Sequence, residues 1–347
     1  MTITRRNLLK SAIGVSVIAG LARTARADSS IVNGVQLGVQ TYSFHEILND
    51  GQNHSDLIIK DMLACGLYSC ELFGAQVEPG IFVGKLPSPA DCPAPTRGCS
   101  AGKGGTARNP WAWEFQRSTG DDLIKVREKQ RRWRETAPLD YFLAIRKQFN
   151  AAGLDVFSFN PIVAPDWSDA ELDRTFQMAK ALGVKSVNVS TTFAMIKRIV
   201  PFAEKTGGIV APHGHGVTWD PEEFSTRATF LRAFALSQAV GANLDIGHYS
   251  ATGADPVAFI DEFHDRIINL HIKDRKRNSP GAREEDGATV PWEKVTRQLG
   301  KFCCCLKTKD IRFRRLSNTN MRERWIRLAR SRKALSIASA CSPRRRS

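Results

Sequence analysis

Ala242-Asn-Leu-Asp245-Ile-Gly-His248 and Ile267-Ile-Asn-Leu-His271-Ile-Lys273-Asp274 are apolar runs that end in metal-ligating side chains. Gly208-Ile-Val-Ala-Pro-His213-Gly-His215 precedes them in the same style. Each run has the length and branched-residue content of a buried strand, and the segments between them carry helical periodicity. Strands alternating with helices make βα units and a parallel sheet. When such a sheet closes into a barrel, the side chains at the carboxyl ends of its strands converge on one mouth. The three runs therefore predict a divalent-cation site built from the His and Asp side chains at their ends.

Outward from these runs, the same pattern predicts strands over 36–44, 68–73, 154–160, 184–190, 208–213, 242–246 and 267–272. Helices are expected over 55–65, 139–152, 169–182, 195–205, 221–240 and 256–264. Gly66, Gly153, Gly183 and Gly241 stand where left-handed C-caps belong, and Ser168-Asp-Ala-Glu171 is a capping box. That makes seven strand–helix units within 28–292, one short of a (β/α)8 barrel. An unclosed barrel leaves two bare sheet edges, so the chain as written is expected to be poorly soluble. Residues 79–120, with Pro87-Ser-Pro89 and Gly102-Lys-Gly-Gly105, read as a flexible insertion after the second strand. The basic run 127–134 reads as a solvated helix face.

The two ends differ in kind from the body. Thr4-Arg5-Arg6-Asn7-Leu8-Leu9-Lys10, the short apolar run 11–21 and Ala25-Arg26-Ala27 make 1–27 a twin-arginine signal peptide. The apolar run is too short to span a bilayer, so a periplasmic or secreted protein with no stable membrane anchor is expected. Residues 293–347 hold 17 Lys/Arg against 3 Asp/Glu. Without leader and tail, 28–292 has 28 basic against 32 acidic residues, so the formal +15 does not make the body basic. A nucleic-acid-binding surface is excluded on that ground.

The tail has the marks of a shifted reading frame. With one G restored after Trp292, the codons of Phe302-Cys303-Cys304-Cys305 must yield Leu-Leu-Leu. Those from Lys294 to Gln298 permit Gly-Asp-Thr-Pro-Ile, and those from Ser317 to Met321 permit Glu-Tyr-Glu-Tyr. Resequencing across the Trp292 codon tests this, an intact reading being the adverse result. Cys303, Cys304, Cys305 and Cys341 fall in this tail. Cys65 and Cys70 read as core thiols, and Cys92 and Cys99 could pair after export.

Leu37-Gly-Val-Gln-Thr-Tyr-Ser-Phe44, Cys70-Glu71-Leu-Phe73, Pro138-Leu-Asp140, the Ala-Leu-Gly-Val run at 181–184, Leu244-Asp-Ile-Gly-His248 and Leu270-His-Ile-Lys-Asp-Arg275 give the chain a family likeness. It resembles the sugar phosphate isomerases/epimerases with a xylose isomerase-like barrel. The resemblance implies a (β/α)8 TIM barrel, incomplete here because the eighth strand is lost in the aberrant tail. It also implies one divalent ion (Mn, Mg, Co or Zn) held by Glu, Asp, His and Glu from strands five to eight. The Asp falls on Asp245 and the His on His271. His213 occupies the strand-five Glu position, and the strand-eight Glu, within 317–320, is absent.

That chemistry removes a proton alpha to a carbonyl, and a cation stabilises the resulting enediolate. His213 or His215 could act as base, Glu71 could bind substrate hydroxyls, and Lys273 could offset the developing charge. His248 reads either as a second contact around the metal or substrate or as a satisfied histidine at a strand end. His45 is ambiguous between mouth and loop surface, and His54 and His264 read as surface residues. The expected partners are a small sugar and the twin-arginine export machinery, with homo-oligomerisation left open. The expected activity is an isomerase or epimerase, inactive if this copy is defective. A lyase or hydrolase acting on 3-keto-glycosides, a phosphodiesterase and a non-catalytic sugar-binding barrel are the alternatives.

Overall fold

The computed structural model describes residues 31–32, 35–44, 47, 52–78, 121–280, 287–290 and 316–318. Its parallel strands are Val35–Gln40 (β1), Ser69–Phe73 (β2), Asp155–Asn160 (β3), Ser186–Val189 (β4), Ile209–Pro212 (β5), Ala242–Asp245 (β6), Ile267–His271 (β7) and Leu316–Asn318 (β8). They lie in the spatial order β5-β4-β3-β2-β1-β8-β7-β6. Parallel bridges Val210↔Val240 and His213↔Asn243 join β5 to β6, which brings the two ends of that order together. Every predicted strand of the barrel is found within a residue or a few of its expected limits.

The eighth position is the main difference from the seven-unit expectation. Leu316–Asn318 pairs in parallel with β1, Ser317 opposite Gly38, and with β7, Ser317 opposite His271. Three residues from the basic tail thus bridge the two edges that the sequence leaves bare. Edge backbone groups look for partners wherever a sheet offers them, which is why so short a segment settles there. The segment begins where frame restoration places the missing strand.

Short helices pack around the ring: Ser55–Cys65 (α1), Asp121–Thr136 (α2), Leu139–Ala151 (α3), Asp169–Leu182 (α4), Phe193–Thr206 (α5), Arg227–Phe234 (α6), Ile246–Ala251 (α7) and Pro256–Phe263 (α8). The capping box is present: Ser168 accepts from the Glu171 amide, and the Glu171 side chain accepts from Ser168. Gly66 and Gly183 are left-handed C-caps, at φ 68° and 80°. Gly241 is not. A Cβ there would meet Ile268 Cγ1 at 2.3 Å, so glycine is needed where β6 enters against β7. The helix expected over 221–240 is only α6. Its first residues serve α5 instead, where Glu222 accepts from the amides of Phe193 and Ala194 at 2.9 and 2.8 Å.

The basic run at 127–134 also departs from expectation. It is helical, but Arg134 is 1% exposed rather than solvated. Its Nε donates to Glu78 Oε2 at 2.9 Å, its Nη1 lies 3.7 Å from Glu171, and its guanidinium stacks 4.1 Å from the Trp167 ring. A buried guanidinium requires such anions, since an unpaired charge in the interior is costly. Cys65 and Cys70 are buried in the core as expected. Residues 1–27, the insertion 79–120, His45, Cys92, Cys99 and the tail apart from 316–318 lie outside the described residues. Among the described residues, no helix is long and apolar enough to cross a membrane.

Arg134→Ala should lower stability by about 3–5 kcal/mol in urea unfolding, because two carboxylates lose their buried partner. Arg132→Ala, whose side chain is 77% exposed beside Glu128, should change it by no more than about 0.5 kcal/mol. Equal effects would show that the Arg134 cluster is not a stabilising element. A chain ending at residue 292 should lose cooperative thermal unfolding because β1 and β7 regain bare edges; an unchanged melt would mean β8 is dispensable.

Candidate metal centre

In β3, β4, β6 and β7, polar residues alternate with apolar ones. Ser158-x-Asn160, Ser186-x-Asn188, Asn243-x-Asp245 and Asn269-x-His271 repeat a two-residue period. Successive side chains of a strand point to opposite faces, so these polar residues share one face, and their contacts place it inside the barrel. The outer face carries the residues packed against helices, such as Val187, Val189, Leu244 and Leu270, all nearly inaccessible.

At the centre of that interior stands Glu71 of β2, 0% exposed. Its Oε1 accepts from Gln40 Nε2 at 3.0 Å and Asn160 Nδ2 at 2.5 Å. Its Oε2 accepts from Asn188 Nδ2 at 2.9 Å and Asn269 Nδ2 at 2.8 Å, and Asn243 Nδ2 lies 3.3–3.4 Å from both oxygens. His271 Nε2 completes the shell, 2.9 Å from Oε2. Burial pushes the Glu71 pKa up, but His271 and the amide donors outweigh it and hold the group below its ordinary value. Glu71 is therefore a buried anion held by the protein's own donors.

Toward the carboxyl ends, Asp245, His271 and His213 come together as expected. One ligand atom from each lies within 4.8 Å of the others, and all three residues are buried. Asp245 Oδ2 is 3.4 Å from His213 Nε2 and 3.9 Å from His271 Nδ1. Asp245 Oδ1 accepts the His248 amide at 2.9 Å as the N-cap of α7, which fixes the carboxylate's rotation. Lys273 Nζ is 2.7 Å from Oδ2. Burial acts to raise the Asp245 pKa, yet Lys273, then His248 and His213, hold it well below the usual carboxylate range. Burial depresses the His213 pKa well below its ordinary value, against the pull of Asp245, so its ring is neutral at neutral pH and can ligate.

The other predicted residues sit around this group. The His215 ring centroid is 4.9 Å from that of His213, and its Nδ1 is 3.6 Å from Glu223 Oε1. Gly214 between them is required, because a Cβ would meet Phe224 O at 1.8 Å. His248 Nε2 lies 3.0 Å from Lys273 Nζ, and Arg275 Nη1 lies 2.6 Å from His248 Nδ1. Lys273 is thus occupied with Asp245 and His248. His54 is half-buried and His264 exposed, both away from the centre. Glu223, Arg275, Gln40 and the four asparagines were missed from the sequence, though the period-two polar positions in apolar strands could have flagged the asparagines.

His271 Nδ1 is a buried nitrogen with no hydrogen-bond partner among the described residues. It lies beside a carboxylate oxygen and a neutral imidazole nitrogen. Two nitrogens and one oxygen are a donor set suited to zinc or manganese, so the residues fit a divalent ion.

Asn269→Leu removes a 2.8 Å donor to a buried anion and should lower stability by about 1.5–3 kcal/mol in urea unfolding. A neutral result would mean the remaining amides suffice.

The family model for the xylose isomerase-like TIM barrel matches residues 117–303. No curated protein matches the chain. Among solved structures, a sugar phosphate isomerase/epimerase from Parabacteroides distasonis is similar, with TM-score 0.52 and 14% identity over 91% of this chain and 98% of that one. A putative uncharacterised protein from the same organism gives TM-score 0.52 and 18% identity, over 89% and 100%. The probable 3-DHS dehydratase AsbF of Bacillus anthracis gives TM-score 0.52 and 12% identity, over 86% and 98%. At these identities the likeness is one of fold.

Proposed function

The chain belongs to the xylose isomerase-like TIM barrel family, and on that premise we propose that it is a metal-dependent isomerase or epimerase of a sugar or keto sugar. The observation that carries this reading is the convergence of Asp245, His271 and His213 at the carboxyl ends of β5, β6 and β7. Active sites of such barrels lie on that face.

His213 Nε2, Asp245 Oδ2 and His271 Nδ1 would hold the ion. When bound there, a divalent ion supplies Lewis-acid stabilisation of the negative charge that develops when a carbon beside a carbonyl is deprotonated. Three protein ligands leave room for substrate, in keeping with a catalytic rather than a structural site. The strand-eight carboxylate implied by the family resemblance is missing, and Ser317 stands opposite His271. A weaker hold on the ion is the expected consequence.

His215 is the residue best suited to move the proton. It neighbours His213, and the Glu223 carboxylate beside its Nδ1 orients the ring and favours the imidazolium formed on proton uptake. Lys273 and Arg275 add positive charge on the other side, next to His248. This arrangement opposes build-up of negative charge less than a neutral wall would.

The test is deuterium exchange from solvent water into keto sugars, together with the metal content of the purified chain. Exchange is expected with Mn²⁺ or Zn²⁺ and should fall to the buffer rate after chelation. His271→Ala should lower metal retention by more than about 100-fold, beyond what loss of an outer partner causes. Full metal retention in that variant would remove His271 from the site. Exchange followed by loss of a β-substituent would favour the lyase reading, since elimination starts from the same deprotonation. Absence of both metal and exchange would leave a sugar-binding barrel.

A further inference from the structure

We propose that Glu71 is a positioning residue that fixes the tautomer of His271, placing the ring proton on Nε2 and leaving Nδ1 bare toward Asp245 and His213. The inference rests on the metal-site reading only for its purpose, since the tautomer is a property of the metal-free chain as well. Nε2 lies 2.9 Å from a carboxylate oxygen. Two lone pairs at that distance repel, whereas an N–H between them forms a charge-assisted hydrogen bond. Asn243 Nδ2 is also 3.3 Å from Nε2, but its hydrogens have both Glu71 oxygens within 3.4 Å as stronger acceptors. On the other side, Nδ1 is buried and has no hydrogen-bond partner among the described residues, so a proton there would be left unsatisfied.

What makes Glu71 fit for this task is its own confinement. Gln40 of β1, Asn160 of β3, Asn188 of β4, Asn243 of β6 and Asn269 of β7 each bring an amide to it. Donors from five strands restrict the carboxylate to one orientation, and that orientation sets the His271 ring. Carboxylate partners of ligating histidines act in this way, fixing ring orientation and raising ligand basicity.

The full chain with ¹⁵N-labelled histidine, stripped of metal, gives the direct test through long-range proton–nitrogen correlation of the His271 ring. Nε2 protonated and Nδ1 bare is the expected spectrum. Protonation at Nδ1, or at both nitrogens near neutral pH, would overturn the proposal whatever the metal does. In Glu71→Gln, the ring should sample both tautomers, and affinity for Zn²⁺ should fall about 10–100-fold. A variant with the wild-type ring spectrum would equally overturn it. If that variant does not fold, the wild-type spectrum alone decides. An Nε2-protonated ring in a chain that binds no Zn²⁺ would support the tautomer assignment while removing the metal reading.

Discussion

Glu71 brings a full negative charge to the axis of the barrel, where no part of it reaches solvent. An isolated carboxylate in such a place would be protonated or would unfold its surroundings. It stays ionised because six groups converge on it from five other strands, and each of those strands has to be in register for its donor to arrive. The carboxylate and the barrel thus stabilise each other. The polar inner face and the orientation of His271 both serve to satisfy this one charge.

Above that layer the electrostatics change character. Asp245 meets Lys273 and three imidazoles, so the mouth gathers positive and neutral nitrogen around a single carboxylate. The two layers are joined through His271, whose ring touches Glu71 with one edge and faces Asp245 with the other. The candidate cation-binding group is therefore hung from a rigid interior instead of from loops, which is how such sites hold their geometry. His215 and His248, on the loop after β5 and on α7, surround this group from positions that local backbone constraints fix, Gly214 against Phe224 and Asp245 capping α7.

Most of the architecture could be read from the chain. Apolar runs of strand length, separated by helical periodicity and punctuated by Gly66, Gly183 and the Ser168 capping box, specify local structure through local physics. Asp245, His271 and His213 were legible for a similar reason: ionisable residues at the ends of apolar strands are rare unless they converge on something. Among the expectations that went the other way, those at Arg134 and Gly241 failed through contacts distant in the chain. Arg134 looked solvated because its helix is charged, but Glu78 and Glu171, distant in sequence, enclose it. Gly241 looked like a cap and is a close approach to Ile268.

The sequence by itself determined the strands, the helices and the candidate ligands, since periodicity, capping and residue type act over a few neighbours. Tertiary structure alone decided which amides meet Glu71, which face of His271 is left bare, and that Leu316–Asn318 takes the gap between β1 and β7. Those outcomes depend on residues as far apart in the chain as Glu71 from His271 and Leu37 from Leu316. Only closure of the ring brings them within hydrogen-bonding distance.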